Sequence, residues 1–304
     1  MYQSFKDQLK TSSISSHGCN LKINRDLFQL KASSLENSSI LEMNDNLIRD
    51  GYLYIKNFFG RDEVLKARNN FLDYLEANGY INFSNNRLGY VTIKKHGPDL
   101  NAHDILGFKD YLKLVNSKKI DAFFKKLLSI EVTSFDHKWP RVVYKGATGI
   151  HCDSVYMGKG ISNLYTMWLA LDDINMQKGP LMVLPGSHKI QAINNTYGKG
   201  DSHEGDYGIL TKDPLRLSEL THLKWASTNY EAGDVLFFGM QLLHGSLDNT
   251  LSEFRFSSDT RYQCNREPVD DRHMGDYKIK LKPQNSVDWL DVHEETLLSE
   301  LVEN

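Results

Sequence analysis

The chain has 304 residues, 40% of them hydrophobic and 25% charged, and its formal net charge is −3. This composition is typical of a globular protein with one large domain or two small ones. The near balance of charge predicts neither a nucleic-acid partner nor an anionic-membrane partner. No apolar run in the sequence is long enough to cross a bilayer.

The cysteines and the N-terminal stretch indicate the compartment. Cys19, Cys152 and Cys264 are too widely spaced for a disulfide framework or a CxxC zinc site, which fits a reducing environment. The N-terminal stretch lacks the apolar core of a secretory signal. We therefore expect a cytoplasmic protein, and no protein partner is evident.

The first half of the chain has mainly helical patterning. Residues 1–40 are rich in Ser, Asn and Lys with weak periodicity, which predicts an irregular wrap or a mobile arm. Helical spacing begins after Ser39 and ends at Gly51. A strand is predicted for residues 52–55 and an amphipathic helix for residues 61–76.

The next stretch predicts a short strand and two further helices. The strand is expected at 88–93 and the helices near 109–116 and 118–129. The lysines of these helices either bind an anionic substrate group, such as a phosphate, or form a solvated surface. The solvated surface is favoured, because charge runs on helices usually face water.

The second half of the chain is rich in short strands. They are expected at 141–144, 164–171, 181–184, 234–238 and 254–262. Strands of this kind between Gly, Pro, Asn and Asp predict an all-β sandwich or barrel core over about 141–263. The polar segment 189–227 is expected to be a long loop that forms a lid or a specificity element. With a final helix at 287–301, the simplest organisation is a single domain over 41–304.

A candidate metal site follows from His151-Cys152-Asp153 together with His244, which begins another predicted strand. In a strand, residues i and i+2 point to the same face, so His151 and Asp153 reach one ion while Cys152 points away. Two histidines and one carboxylate on one face of Fe(II) leave open coordination positions. The alternative is an exposed turn histidine with an Asx-type aspartate, and a hydrogen-bonded core histidine at 244.

Arg255 supplies a fourth element of the candidate site. It lies on a predicted strand between two phenylalanines, and a buried arginine needs a partner. Its planar guanidinium matches a carboxylate with two hydrogen bonds, and Ser257 on the same face offers another donor. The alternative is a structural salt bridge to a nearby acid. Beside an iron site, such an arginine indicates an anchor for a dicarboxylate co-substrate.

On these motifs the chain resembles the phytanoyl-CoA dioxygenase family of Fe(II)- and 2-oxoglutarate-dependent oxygenases. The resemblance covers roughly residues 41–263. The resemblance rests mainly on the motif Gly-x-Leu-x-Val-x-Pro-Gly-Ser-His, which lies between the His-x-Asp triplet and the distal histidine. The matching stretches are 50–59, 168–173, 179–189 and 233–238, followed by His244-Gly245-Ser246 and by Arg255.

The resemblance implies a mainly β fold with flanking helices: a double-stranded β-helix (jelly-roll, cupin-like) core behind N-terminal helices. It implies that His151, Asp153 and His244 ligate Fe(II). It also implies that Arg255 holds 2-oxoglutarate, assisted by Ser246 and Ser257. The residues expected to line the co-substrate pocket are Thr166 and Trp168, and Lys94 or Lys95 is expected to approach it from the N-terminal part. His188 is expected to have a structural role in its turn.

The activity that the resemblance implies is hydroxylation of an unactivated C–H bond of a small organic metabolite. Dioxygen and 2-oxoglutarate are consumed, and succinate and carbon dioxide are released. Halogenating relatives replace the carboxylate ligand with a small residue, so Asp153 favours hydroxylation. The alternatives are a coenzyme A thioester hydroxylase, or a catalytically silent jelly-roll that binds metal or ligand.

Several polar residues are candidates for the substrate pocket. Arg261, on the same strand face as Arg255, is expected to be a second anion contact or a partner of Asp259. The polar candidates for the pocket walls are Arg87, Tyr90, Tyr156 and Arg266.

Overall fold

The computed structural model describes residues 14–84, 89–159, 161, 163–275 and 287–303. The α-helices are α1 (Ile40–Asp50), α2 (Arg61–Ala77), α3 (Ala102–Gly107), α4 (Lys109–Val115), α5 (Lys118–Leu128), α6 (Ser154–Met157), α7 (Gln191–Asn195), α8 (Pro214–Thr221) and α9 (Trp289–Glu303). The strands are β1 (Ser15–Ser16), β2 (Cys19–Asn20), β3 (Leu27–Gln29), β4 (Ala32–Ser33), β5 (Tyr52–Ile55), β6 (Ile81–Phe83), β7 (Tyr90–Thr92), β8 (Val132–Ser134), β9 (Trp139–Val143), β10 (Leu164–Ala170), β11 (Leu181–Val183), β12 (Trp225–Ser227), β13 (Val235–Gly239), β14 (His244–Ser246) and β15 (Arg255–Cys264). None of the helices in this part of the chain combines the length and apolarity of a membrane span.

Two β-sheets face each other across the core. The large sheet has the strand order β4-β5-β13-β10-β15-β8, and β9 also pairs with β15. The small sheet has the order β14-β11-β12-β3. A buried cluster joins them, with Trp168 and Phe238 from the large sheet packed against Leu181 and Val183 from the small one. The molecule is thus a two-sheet sandwich, and the β core predicted for about 141–263 supplies most of its strands.

Strand alternation divides the large sheet into two faces. On β10, Thr166 and Trp168 point toward the small sheet, whereas Met167 and Leu169 point the other way, into the helices. We call these the inner face and the outer face. The outer face packs against α2, α4 and α5 in the largest apolar cluster, which contains Phe71, Phe123 and Phe237 among other residues.

The first helix begins and ends where the sequence predicts. The Ser39 side chain accepts a hydrogen bond from the Glu42 backbone N–H, and Gly51 ends the helix with φ of 82°. A Cβ atom on Gly51 would lie 2.4 Å from Nδ1 of His188. The His188 ring in turn lies 3.1 Å, through Nε2, from the carbonyl of Ile48. His188 therefore fastens the Pro-Gly-Ser-His turn to α1, in keeping with the structural role expected for it.

The N-terminal segment contributes to both sheets. β3 pairs in parallel with β12 of the small sheet, and β4 pairs in parallel with β5 of the large one. Residues 14–33 therefore supply edge strands that their weak periodicity does not predict. Residues 1–13 of the predicted arm lie outside the described residues.

The segment 189–227 differs from its prediction. It is not one long loop, because it contains α7, α8 and β12. Asp213 caps α8 by accepting hydrogen bonds from two backbone N–H groups, and Pro214 occupies the first helical turn. Helices of five and eight residues are too short to show a clear 3.6-residue period, which explains the wrong prediction.

Candidate metal centre

His151 and His244 are held together by backbone pairing. Each donates its backbone N–H to the carbonyl of the other, and both N···O distances are 2.9 Å. His244 begins β14, as the sequence predicts. This bridge places the two imidazole rings with their centroids 4.3 Å apart.

The Asp153 side chain lies beside the two histidines, but its backbone conformation differs from the predicted one. Its backbone is helical, with φ of −67° and ψ of −21°, and it opens the short helix α6. The strand geometry expected over His151 and Asp153 is therefore wrong at Asp153, where the chain turns. Cys152 points away, as predicted, into an apolar cluster with Leu210 and Tyr197.

The three side chains form a compact buried group. One potential ligand atom from each of His151, Asp153 and His244 lies within 4.8 Å of the other two. Asp153 Oδ1 is 3.9 Å from His244 Nε2. Among the described residues, no other cluster of three histidine, cysteine or acidic side chains comes this close. The sequence-predicted ligands are thus brought together around a single point.

Backbone carbonyls orient both histidines. His151 Nδ1 lies 2.8 Å from the carbonyl of Gly149, and His244 Nδ1 lies 2.9 Å from the carbonyl of Leu242. Because a carbonyl only accepts, each Nδ1 carries the proton and each Nε2 keeps a free lone pair. Burial and the neighbouring His244 lower the pKa of His151 to about 3, so the ring stays neutral at neutral pH. A neutral imidazole is the form that binds a divalent metal.

The Asp153 carboxylate is kept ionised by its neighbours. Burial raises its pKa, but Arg261, His244 and His151 outweigh that effect, and the pKa lies well below its usual range. Arg261 Nη2 donates to Oδ1 over 2.9 Å, and the Thr166 hydroxyl donates to Oδ2. A charged carboxylate beside two imidazole lone pairs is the donor set of a two-histidine, one-carboxylate iron site. The residues present therefore fit Fe(II).

Arg255 lies at the start of β15 with only 3% of its surface exposed. Its Nη1 donates to the carbonyl of Gly179. The backbone at Gly179 has φ of 71°, and a Cβ there would lie 2.8 Å from backbone atoms, so only glycine allows this close packing. Burial and the nearby Arg141 lower the pKa of Arg255 to about 10. Within the described part of the chain, its Nε has no acceptor.

The other residues expected around the co-substrate also line the inner face or the strand opposite it. Ser257 is buried, and its hydroxyl has no hydrogen-bond partner among the described residues. Ser246 Oγ accepts from the backbone N–H of Thr148 over 2.8 Å. Thr166 holds Asp153, and Trp168 packs on Tyr230 with ring centroids 4.7 Å apart. Arg255 Nε and the Ser257 hydroxyl are thus buried donors that a dicarboxylate would satisfy.

Three residues near the centre had little or no role in the sequence interpretation. Arg261, expected to contact an anion or Asp259, donates to Asp153, while its Nη1 lies 3.9 Å from Asp259 Oδ2. Arg141 Nε donates to Asp259 Oδ2 over 2.8 Å. Strand register brings this pair together, and the sequence does not reveal the register. The Tyr156 ring lies 5.2 Å from the His151 ring, and its role in the substrate pocket stays a prediction.

Other candidates lie away from the centre. Lys94 donates to the carbonyl of Asn78 and lies over Tyr80, and Lys95 is exposed on the surface. The Tyr90 hydroxyl accepts from the backbone N–H of Phe254, on the outer side of the sheet. Arg266 is exposed in the loop after β15. Arg87 lies outside the described residues.

The chain matches one protein family and resembles several curated proteins over part of its length. A model of the family described as phytanoyl-CoA dioxygenase (PhyH) matches residues 47–257. The peroxisomal phytanoyl-CoA dioxygenase of Mus musculus is 36% identical over 109 residues, which are 35% of this chain and 30% of that protein. Ectoine dioxygenase of Bordetella parapertussis is 36% identical over 85 residues, 26% of this chain and 27% of that protein. The matches span less than a third of the length of these curated relatives.

Solved structures share the fold. The non-heme alpha ketoglutarate dependent carbocyclase SnoK from nogalamycin biosynthesis aligns with a TM-score of 0.55 at 19% identity, over 85% of this chain and 98% of that chain. EctD from S. alaskensis in its apoform aligns with a TM-score of 0.53 at 20% identity, over 86% of this chain and 91% of that chain. At these identities the likeness concerns the fold alone, and it confirms the predicted jelly-roll class.

Proposed function

Because this chain belongs to the phytanoyl-CoA dioxygenase family, we propose that it hydroxylates an unactivated C–H bond of a small organic metabolite. The predicted enzyme class and cofactors, an Fe(II)- and 2-oxoglutarate-dependent dioxygenase, are confirmed at the level of the family. The observation that carries the proposal is the pairing of a compact His151, Asp153 and His244 group with the buried, partly unpartnered Arg255. A cytoplasmic location stays a prediction.

In this proposal His151, Asp153 and His244 would hold Fe(II). Bound Fe(II) supplies the oxidising chemistry, with dioxygen and 2-oxoglutarate as reactants and succinate and carbon dioxide as products. Arg255 binds the distal carboxylate of 2-oxoglutarate, and the Ser257 hydroxyl adds a donor beside it.

The surrounding side chains position these groups and exclude water. Arg261 and Thr166 each donate to one oxygen of Asp153, which fixes the rotation of its carboxylate. Trp168 and Phe238 are almost completely buried on the inner face, and they close the apolar end of the site. Because Asp153 keeps the carboxylate position occupied, hydroxylation is favoured over halogenation.

A coenzyme A thioester is the second candidate substrate, favoured by the match to the mouse phytanoyl-CoA dioxygenase. The lysines suggested for its phosphates belong mainly to α5, whose apolar side chains pack on the outer face of the large sheet. They are therefore separated from the metal centre by the sheet itself. This position favours a small metabolite over a coenzyme A thioester.

The test is succinate formation from 2-oxoglutarate by protein reconstituted with Fe(II) without oxygen and then exposed to it. A panel of small metabolites and acyl-coenzyme A thioesters would be added singly. We expect slow succinate formation by the enzyme alone and faster formation with one class of small metabolite. Zn(II)-loaded protein is the matched control, because zinc binds the same ligands and has no redox chemistry.

The contrary outcomes separate the alternatives. Stimulation by acyl-coenzyme A thioesters alone would replace the small-metabolite proposal with the second candidate. No succinate above the zinc control, despite stoichiometric iron, would favour a silent binding protein.

A further inference from the structure

Arg141 lies on the inner face at the open side of the site. On β9 it stands directly opposite Ser257 of β15, and residues directly opposite in an antiparallel pair share a face. Its side chain is 40% exposed, whereas that of Arg261 is 2% exposed. The space between the sheets is therefore open to solvent at Arg141 and closed at Arg261.

The guanidinium of Arg141 has one engaged edge and one free edge. Nε donates to Asp259 Oδ2 over 2.8 Å, which occupies the Nε side. Within the residues that the structure describes, Asp259 is the only carboxylate paired with Arg141, and neither Nη1 nor Nη2 has an acceptor. The edge formed by Nη1 and Nη2 matches the two oxygens of a carboxylate.

The charges around the site leave room for one more anion. Arg141, Arg255 and Arg261 face Asp153 and Asp259, so three positive groups stand against two negative ones. Fe(II) and the dianion of 2-oxoglutarate cancel each other. One positive charge remains after both cofactors are counted, and an anionic group on the substrate would balance it.

Aromatic rings continue from Arg141 toward the metal centre. Trp139, two residues earlier on the same face of β9, lies under the Arg261 guanidinium with 5.0 Å from its carbon to the ring centroid. Tyr156 lies beside His151. A chain of contacts, Arg141 to Asp259 to Arg261 to Asp153, links the free edge to a metal ligand. A substrate held at Arg141 would thus lay its carbon body along these rings.

We propose that Arg141 binds a carboxylate of the substrate through its Nη1–Nη2 edge, and that this enzyme oxidises small organic acids. The inference rests on the proposed function and gives it a substrate class. The Arg141 edge selects the acid over its neutral analogues, and the distance between Arg141 and the metal determines which carbon is oxidised.

The test uses simple probes and needs no knowledge of the natural substrate. Zn(II)-loaded protein with saturating 2-oxoglutarate is titrated with benzoate, cyclohexanecarboxylate and the corresponding carboxamides, and binding is followed by ligand-observed NMR. We expect the acids to bind in the millimolar range and about tenfold more tightly than the amides, as for one charge-assisted contact. Saturating 2-oxoglutarate keeps the probes out of the co-substrate site.

Variants then assign the preference to Arg141. Arg141→Gln should reduce the acid-to-amide preference to about one, whereas Arg141→Lys, which keeps the charge, should retain part of it. Arg68→Gln is the matched control, because Arg68 pairs with Asp172 at 2.9 Å and belongs to α2, which packs on the outer face. Circular dichroism and thermal unfolding would verify that each variant is folded.

Several outcomes would overturn the inference. These are equal binding of acids and amides, a preference that survives Arg141→Gln, no binding of either probe class, or an effect of Arg141→Gln on 2-oxoglutarate alone. The proposed function fails separately, if wild-type protein with Fe(II) and oxygen forms no succinate. If succinate forms but acids bind no more tightly than amides, the inference about Arg141 is wrong and the proposed function is unaffected.

Discussion

The two faces of β15 differ in how their buried polar groups are hydrogen-bonded. On the outer face, the Ser258 hydroxyl lies 2.6 Å from the Tyr111 hydroxyl, and Tyr262 donates to the carbonyl of Val115. On the inner face, Arg255 Nε and the Ser257 hydroxyl have no partner among the described residues. Buried polar atoms of a folded protein are normally hydrogen-bonded. One face is therefore completed by the protein, and we infer that the other is completed by its ligands.

The energetic roles of the two faces differ accordingly. Outside, Phe237 contacts three other phenylalanine rings, with centroids 4.6 to 5.4 Å away. Such aromatic packing stabilises the fold. Inside, buried charges and unpaired donors cost free energy. The helical layer on the outer face thus offsets the cost of a polar inner face that is ready to bind ligands.

The largest effect is expected when a candidate metal ligand between the two sheets is removed. Asp153→Ala removes the carboxylate and leaves Arg261 as a buried cation beside two histidines. Since losing a residue that only orients a metal ligand costs 10- to 100-fold in affinity, losing the ligand should lower Fe(II) affinity by more than about 100-fold. Succinate formation should fall to background. Calorimetric iron titration checks this, and a variant that retains iron and turnover would place the centre elsewhere.

A substitution on the outer face should lower the stability of the fold and leave ligand binding unchanged. Phe237→Ala removes a ring packed against Phe58, Phe123 and Phe124, and should cost about 3 to 5 kcal/mol in the free energy of unfolding. Urea unfolding measures this cost. The iron and 2-oxoglutarate affinities of the folded variant should stay near wild-type values. A large change in either affinity would show that the two faces are not separable.

A substitution of Arg255 tests co-substrate binding on the inner face and leaves the candidate metal ligands in place. Arg255→Gln removes a buried charge and keeps most of the side-chain volume. We expect the dissociation constant of 2-oxoglutarate to rise about 10- to 100-fold, the equivalent of one or two charge-assisted hydrogen bonds. Iron affinity should change little. Lost iron with unchanged 2-oxoglutarate affinity would contradict the assignment of Arg255.

Local sequence signals predict much of this arrangement. Ser39 and Gly51 mark the ends of α1 because capping depends on residues a few positions apart. Spacing and strand order also indicate His151, Asp153 and His244 as candidate ligands, and the structure brings these three side chains together. The strand predicted at Asp153 was wrong, since the turn that begins there is stabilised by hydrogen bonds from Tyr156 and Met157 to its carbonyl.

Long-range pairing is what the sequence does not reveal. Arg141 and Asp259 are far apart in the chain, and only the register of β9 on β15 makes them neighbours. The edge strands β3 and β4 have two or three residues each, which is too short for alternation to be visible. The free Nη1–Nη2 edge of Arg141 could therefore be identified only from the structure, which shows how the strands pair.

The smallest effects give the sharpest comparison, because Ser257 and Ser258 are adjacent, equally buried and on opposite faces. Ser258→Ala strands the Tyr111 hydroxyl in the core and should cost about 1 to 3 kcal/mol of stability, with 2-oxoglutarate affinity unchanged. Ser257→Ala removes a hydroxyl with no partner in the described residues, so stability should change by less than about 0.5 kcal/mol. Its 2-oxoglutarate affinity should fall about tenfold, as for one hydrogen bond to a charged carboxylate. Urea unfolding and 2-oxoglutarate titration of both variants measure the contrast. If Ser257→Ala loses stability and keeps its affinity, the inner face is completed by the protein after all.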